Sequence, residues 1–184
     1  MNFGLYHALR NPERWARPFP VLYQEIIEQT AFSEQCGWGS VWLMEHHFVE
    51  DGYVPGLMPV LAALAMRTSK LKLGTFLLNL NFQHPIRMAE DAAIVDILSN
   101  GRLEMRVAPG YAVHEYEGFG IKWEDRGALF EEQLQVMLNC WNEKNFSFDG
   151  RFYSLSNVAC TPKPVQVPHP KLYYGSWTDR KSVV

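Results

Sequence analysis

The sequence predicts an α/β protein built on a parallel sheet, and three observations carry that expectation. Five short β-like runs alternate with helical patterns along the chain, which is what successive βαβ units produce. Several of these runs carry few charges, as strands covered on both faces should. Hydrophobic residues make up 47% and charged residues 20%, an ordinary balance for a chain that buries a core. Periodicity alone leaves two architectures open, the doubly wound sheet and the (β/α)8 barrel.

Asn2 to Tyr6 is the first run. A helix over Pro20 to Cys36 follows, its apolar stripe made by Ile26, Ile27, Ala31 and Phe32, with Gly37 and Gly39 at its end. Ser40 to Met44 is the second run, closed by Glu45-His46-His47. A short helix over Gly56 to Arg67 leads to the third run, Leu71 to Leu78. Pro85 then opens a helix in which Met88, Ala92, Val95 and Leu98 recur at helical spacing, and Asn100-Gly101 ends it. The fourth run, Arg102 to Ala108, stops at Pro109-Gly110. After a loop, Glu124 to Trp141 reads as an amphipathic helix with Leu134, Met137, Leu138 and Trp141 on one face. Phe146 to Leu155, turning at Asp149-Gly150, reads as an inserted hairpin. A proline-rich crossing loop, Thr161 to Pro170, precedes the fifth run, Lys171 to Ser176.

Residues 1–184 read as one domain. Only Trp177–Val184 follow the fifth strand, too few for the helix that should cover it, whereas a (β/α)8 domain takes about 250 residues. The expectation is a barrel cut after about five β/α strands. A finished five-stranded α/β protein is the alternative.

Composition excludes several classes. A net charge of -3 without a Lys/Arg stripe argues against nucleic acid or an anionic membrane as partner. Neither a signal peptide nor a membrane span is evident. Cys36, Cys140 and Cys160 are oddly spaced for disulfides or zinc, and fit a reducing cytoplasm. The chain has no G-x-G-x-x-G after a strand, no P-loop and no G-x-S-x-G elbow.

In either architecture ligands bind where parallel strands end. Those ends carry Tyr6-His7, Glu45-His46-His47, Leu77-Leu78-Asn79, Ala108-Pro109-Gly110-Tyr111 and Gly175-Ser176-Trp177. Neighbouring residues on an extended chain face opposite ways, so His46 and His47 cannot share a cavity, which weakens a metal site. One imidazole in a cavity suits acid–base work near neutral pH, while a structural histidine is the competing reading. Alternation on the fourth run points Glu104 and Arg106 inward, where they should form an interior network with each other or with separate partners. Trp123 and Trp141, like Phe119 and Phe130, read as core or subunit interface. Gly110 either admits a flat cofactor or simply makes a turn.

The order M-N-F-G-L-Y, W-L-M-E-H-H-F, L-G-T-F, H-P-I-R-M-A-E-D and L-S-N-G-R-L-E resembles the bacterial luciferase-like flavin-dependent monooxygenases, over Asn2 to about Trp177. The resemblance implies a (β/α)8 barrel that forms a homodimer through its early helices. It implies reduced FMN, supplied by a flavin reductase, together with O2 and a small organic substrate; some relatives use a deazaflavin coenzyme. On this resemblance His46 is the catalytic residue beside the flavin. Tyr6, Phe76, Leu77, Ala108, Gly110 and Tyr111 match positions around the isoalloxazine or near its phosphate, with a non-proline cis peptide at Phe76–Leu77. Arg126 matches a phosphate-binding arginine, and Ser176 and Trp177 lie where the fifth strand meets the flavin. Pro109 stands where luciferase has an arginine, and Arg106 where a glycine is common, so flavin affinity or flavin type differs from the family pattern. A non-catalytic flavin-binding or dimerising protein stays open beside the enzyme, as does a metal-dependent hydrolase at His46 and His47.

Overall fold

The computed structural model describes residues 3–174. Its main sheet is parallel: β1 (Gly4–His7), β2 (Ser40–Leu43), β3 (Lys72–Thr75), β4 (Leu78–Asn79), β5 (Leu103–Ala108) and β8 (Lys171–Tyr174). β6 (Phe146–Asp149) and β7 (Ser154–Val158) form the separate antiparallel hairpin, three residues longer than the sequence suggests. β1 pairs β2, β2 pairs β3, β3 and β4 both pair β5, and β5 pairs β8.

The expected third strand is thus two segments, interrupted at the cis peptide Phe76–Leu77. Thr75 bridges the gap, because its Oγ1 accepts the Arg106 N–H and donates to the Arg106 carbonyl, both at 2.8 Å. A side chain takes over the ladder where the backbone cannot.

Helices α1 (Phe19–Gln35), α2 (Leu57–Arg67), α3 (Pro85–Ser99) and α5 (Arg126–Asn142) follow the strands they connect, and each packs on the next. They cover one face of the sheet. Val41, Leu43, Leu73, Leu103, Met105 and Val107 are fully buried there against Leu61, Leu64, Ala92 and Met137. On the opposite face Tyr6, Phe76 and Tyr173 are 47%, 42% and 43% exposed. Helices on one face and strands in sequential order belong to the (β/α)8 class rather than to the doubly wound one, which carries helices on both faces.

Several expectations need correction. α4 (Val113–Phe119) stands where a loop was expected. The predicted stripes of α1 and α3 hold at Ile26, Ala31, Met88, Ala92 and Val95, which are buried, but fail at Phe32 and Leu98, which are exposed, while Thr30, Ser33, Asp96 and Ser99 are buried beside them. Those small or polar groups find partners at the helix ends, so their burial carries no penalty. Asn100 and Gly101 do end α3, both left-handed at φ 54° and 76°. Among the described residues no helix is long and apolar enough to cross a membrane.

Candidate active site at the strand ends

Just past the end of β2, Glu45 makes an isolated bridge to Val54, and the Glu45-His46-His47 triplet leads off from it. The two imidazoles part company, as expected. His47 Nε2 lies 2.7 Å from Glu45 Oε1, buried, with Phe82 and Phe119 set edge-on against its ring. His46 Nδ1 lies 2.9 Å from Glu115 Oε1, and its ring meets the edges of Tyr53 and Tyr111.

Glu115 comes from α4, the helix that sequence reading missed. It is fully buried, and its Oε1 also accepts the His47 backbone N–H at 2.8 Å, while Oε2 has no partner among the described residues. An ionised carboxylate only accepts, so the bond to His46 places a proton on Nδ1 and leaves the Nε2 lone pair bare. Nε2 faces the Tyr111 hydroxyl at 3.4 Å, too long for a strong bond. His46 is held from behind by a buried acid, and 12% of its side-chain surface stays accessible.

Glu45 reads differently. Burial pushes its carboxyl above the usual range, against the pull of the His47 hydrogen bond and the Asn79 N–H. Its role is to seat His47 and the start of β4. Burial raises the Tyr6 hydroxyl, and the neighbouring phenols of Tyr53 and Tyr111 raise it further. Tyr6 donates to Met44 Sδ and meets Phe76 edge to face at 5.9 Å.

Gly110 has φ 91°, which strains any side chain, and a Cβ there would crowd the Phe82 ring at 3.3 Å. The Pro109 carbonyl accepts from the Tyr116 hydroxyl, which accepts from Asn81 Nδ2, which also donates to the Arg126 carbonyl. This line ties the Gly110 turn to the start of α5. The Arg126 guanidinium, however, lies 4.3 Å from the Trp123 ring centre and donates to the Trp123 carbonyl.

The described structure therefore gathers His46, Tyr6, Phe76, Leu77, Ala108, Gly110 and Tyr111 along the strand ends, whereas Arg126, at the start of α5, turns its guanidinium to Trp123. Ser176 and Trp177 lie outside the described residues. His7 turns away towards α1, with Nε2 3.3 Å from Thr30 Oγ1, and burial lowers its pKa. Glu104 and Arg106 do not pair with each other: Glu104 lies 4.0 Å from Lys171 Nζ, and Arg106 lies over Trp42. Trp141 and Phe130 are core, whereas Trp123 packs on Tyr116 and Phe119 stacks on Phe82. Among the described residues no three His, Cys, Asp or Glu side chains form a metal-holding group.

Glu115 and Tyr53 are the members that sequence reading passed over. The signal for Glu115 was weak but present. Ala112, Glu115, Tyr116 and Phe119 recur at one-turn spacing just after a strand end, with an acid at a core position.

A family model described as luciferase-like monooxygenase matches residues 1–183. The oxygenase component of flavin-dependent trigonelline monooxygenase from Acinetobacter baylyi is 32% identical over 154 residues, covering 83% of this chain and 42% of that one. F420-dependent glucose-6-phosphate dehydrogenase from Amycolatopsis mediterranei is 29% identical over 150 residues, covering 78% and 45%. The crystal structure of monooxygenase RslO1 from Streptomyces bottropensis superposes with a TM-score of 0.88 at 27% identity, over 95% of this chain and 53% of that one. The chain spans about half the length of the relatives it matches.

Proposed function

This chain belongs to the luciferase-like monooxygenase family, and from that premise we propose that it forms the catalytic mouth of an oxidoreductase that uses reduced FMN and O2 to oxygenate a small organic substrate. The observation that carries the proposal is the His46–Glu115 pair: a bare imidazole nitrogen at the strand ends, with a buried carboxylate behind it.

The residues fit a flat ring system. Tyr6 and Phe76 present half-exposed aromatic edges on the inner wall, Leu77 and Ala108 are small enough to lie beneath a plane, and Gly110 has no side chain to obstruct one. We assign Tyr6, Phe76, Leu77 and Ala108 to the ring, and Gly110, Tyr111 and Arg126 to the phosphate end. When bound, reduced flavin supplies the electrons that activate O2.

His46 acts through Nε2, taking a proton from the reacting group or returning one, with Nδ1–H fixed on Glu115. Glu115 selects the tautomer and steadies the imidazolium while His46 holds the extra proton. Tyr53 and Tyr111 wall the imidazole on two sides and limit water around it.

A separate flavin reductase as electron source is supported by the relative that is itself an oxygenase component. A homodimer is supported by exposed Phe32, Met66, Ile94 and Ile97 on the early helices. We place the protein in the cytoplasm. A deazaflavin cofactor is the second reading, favoured by Pro109 in place of an arginine and by the F420-dependent relative.

Anaerobic titration with reduced FMN and, in parallel, reduced F420 tests these assignments. Saturable FMN binding, followed by oxygen uptake faster than that of free flavin, is the expected result. Binding without uptake makes the protein a carrier, tighter F420 binding changes the cofactor, and no binding of either ends the proposal.

A further inference from the structure

On the inner wall, β2, β3, β5 and β8 together hold one cation among aromatic rings. The arrangement starts with a missing side chain. A Cβ on Gly74 would lie 2.1 Å from the Trp42 ring, so the indole lies across β3 only because position 74 is glycine. Trp42 Nε1 donates to Ser40 Oγ at 3.0 Å, which fixes the edge of the ring.

Arg106 then lies over this plate. Its guanidinium carbon is 3.8 Å from the Trp42 ring centre, 5.2 Å from that of Phe76 and 5.5 Å from that of Tyr173. The rings stabilise the charge through their faces but accept no N–H hydrogen bond in the guanidinium plane. Among the described residues those in-plane donors have no partner, since only the Arg106 backbone N–H is bonded, to Thr75. The nearest wall carboxylate, Glu104, lies beside Lys171.

We propose that Arg106 anchors the organic substrate, and that this substrate carries an oxyanion group, a carboxylate or sulfonate, on an aromatic or apolar body. Two parallel N–H donors match such a group, and the surrounding rings match the body. The proposal rests on the flavin-site reading above, because Phe76 belongs to both: it borders the ring on one side and Arg106 on the other.

The test uses the 184-residue chain and three probes of similar shape: benzoate, benzenesulfonate and the neutral benzamide, titrated calorimetrically. Saturable binding of at least one anion is expected, with benzamide at least about tenfold weaker. Arg106→Leu should lose about tenfold or more for the anion. Arg106→Lys should fall between, because the ammonium keeps charge but lacks the planar fork. Circular dichroism and a melting curve confirm that each variant is folded.

Equal binding of benzamide and benzoate overturns the proposal, as does anion binding that survives in Arg106→Leu. So does the absence of binding by either anion to the folded wild type. Titration with reduced FMN separates the two assignments. If Arg106→Leu weakens FMN as much as the anion, the arginine serves the cofactor and the proposal fails. If anions bind through Arg106 while FMN does not bind at all, the flavin reading fails and the anion site stands.

Discussion

At the end of the sheet where strands begin, Arg102 donates five hydrogen bonds, to the Ser99, Leu71, Ala65 and Thr68 carbonyls and to Thr68 Oγ1. Glu34 at the close of α1 accepts the backbone N–H groups of Ser69, Lys70 and Leu71. Asp96 near the end of α3 accepts those of Val165 and Gln166 and also the Gln166 amide. At the other end, Glu115 keeps one buried oxygen without a partner among the described residues, and so does Asn81, whose Nδ2 donates to Tyr116 on the same helix as Glu115. His46 likewise presents Nε2 with only a long contact.

The difference separates two uses of a buried polar group. Saturated groups at the strand starts cap helices and splice loops to strands, so removing one leaves several backbone groups bare. At the strand ends Glu115 and His46 each keep one atom without a strong partner among the described residues, at some cost in stability, and that atom is ready to bond something else. This is the division of labour expected of the barrel class.

Four substitutions sharpen or break that comparison. Arg102→Ala should have the largest effect, about 3 kcal/mol or more of lost stability, read as a lower denaturation midpoint. A loss under about 1 kcal/mol would mean the clamp is ornamental. His46→Ala should slow turnover with reduced flavin by about 100-fold, with stability and flavin affinity close to wild type. A matching fall in melting temperature would make it a structural histidine.

Glu115→Gln should slow turnover by about tenfold, because the amide still bonds His46 but no longer steadies its positive charge. Its stability should fall by under about 1 kcal/mol, since the amide oxygen keeps the bonds to His46 and His47 and the NH2 replaces an oxygen that had no partner among the described residues. A clear destabilisation would place Glu115 with Arg102 and Asp96 instead.

Glu34→Gln should be the mildest, about 1 kcal/mol at neutral pH. Burial raises the Glu34 carboxyl, but the backbone N–H bonds outweigh it and the net direction is down from 4.5. A carboxyl lowered on folding stabilises above its unfolded value and loses that contribution as pH falls. The wild type should therefore lead Glu34→Gln above about pH 4.5, and the gap should close below it in melts run across that range. A gap unchanged in acid would show that the charge is not involved.

Much of the fold was legible because its signals are local. Pro85 opens α3 and Asn100-Gly101 closes it, since proline fits a first turn and asparagine and glycine accept a left-handed stop. Alternation predicted that His46 and His47 part, and they do. The misreadings share one cause. Phe32 and Leu98 match the apolar period yet face out, because periodicity sets spacing and not which side a neighbouring helix occupies. The seven residues of α4 are too few to show a period at all.

By itself the sequence determined the order of strands and helices, the family likeness and the strand-end address of His46. Each depends on residues close along the chain. Only the tertiary structure decided that the helices take one face, that Glu115 reaches back 69 residues to His46, and that Gly74 makes room for Trp42 beneath Arg106. These are contacts between segments remote in sequence. They are settled by how whole elements pack, which no local preference encodes.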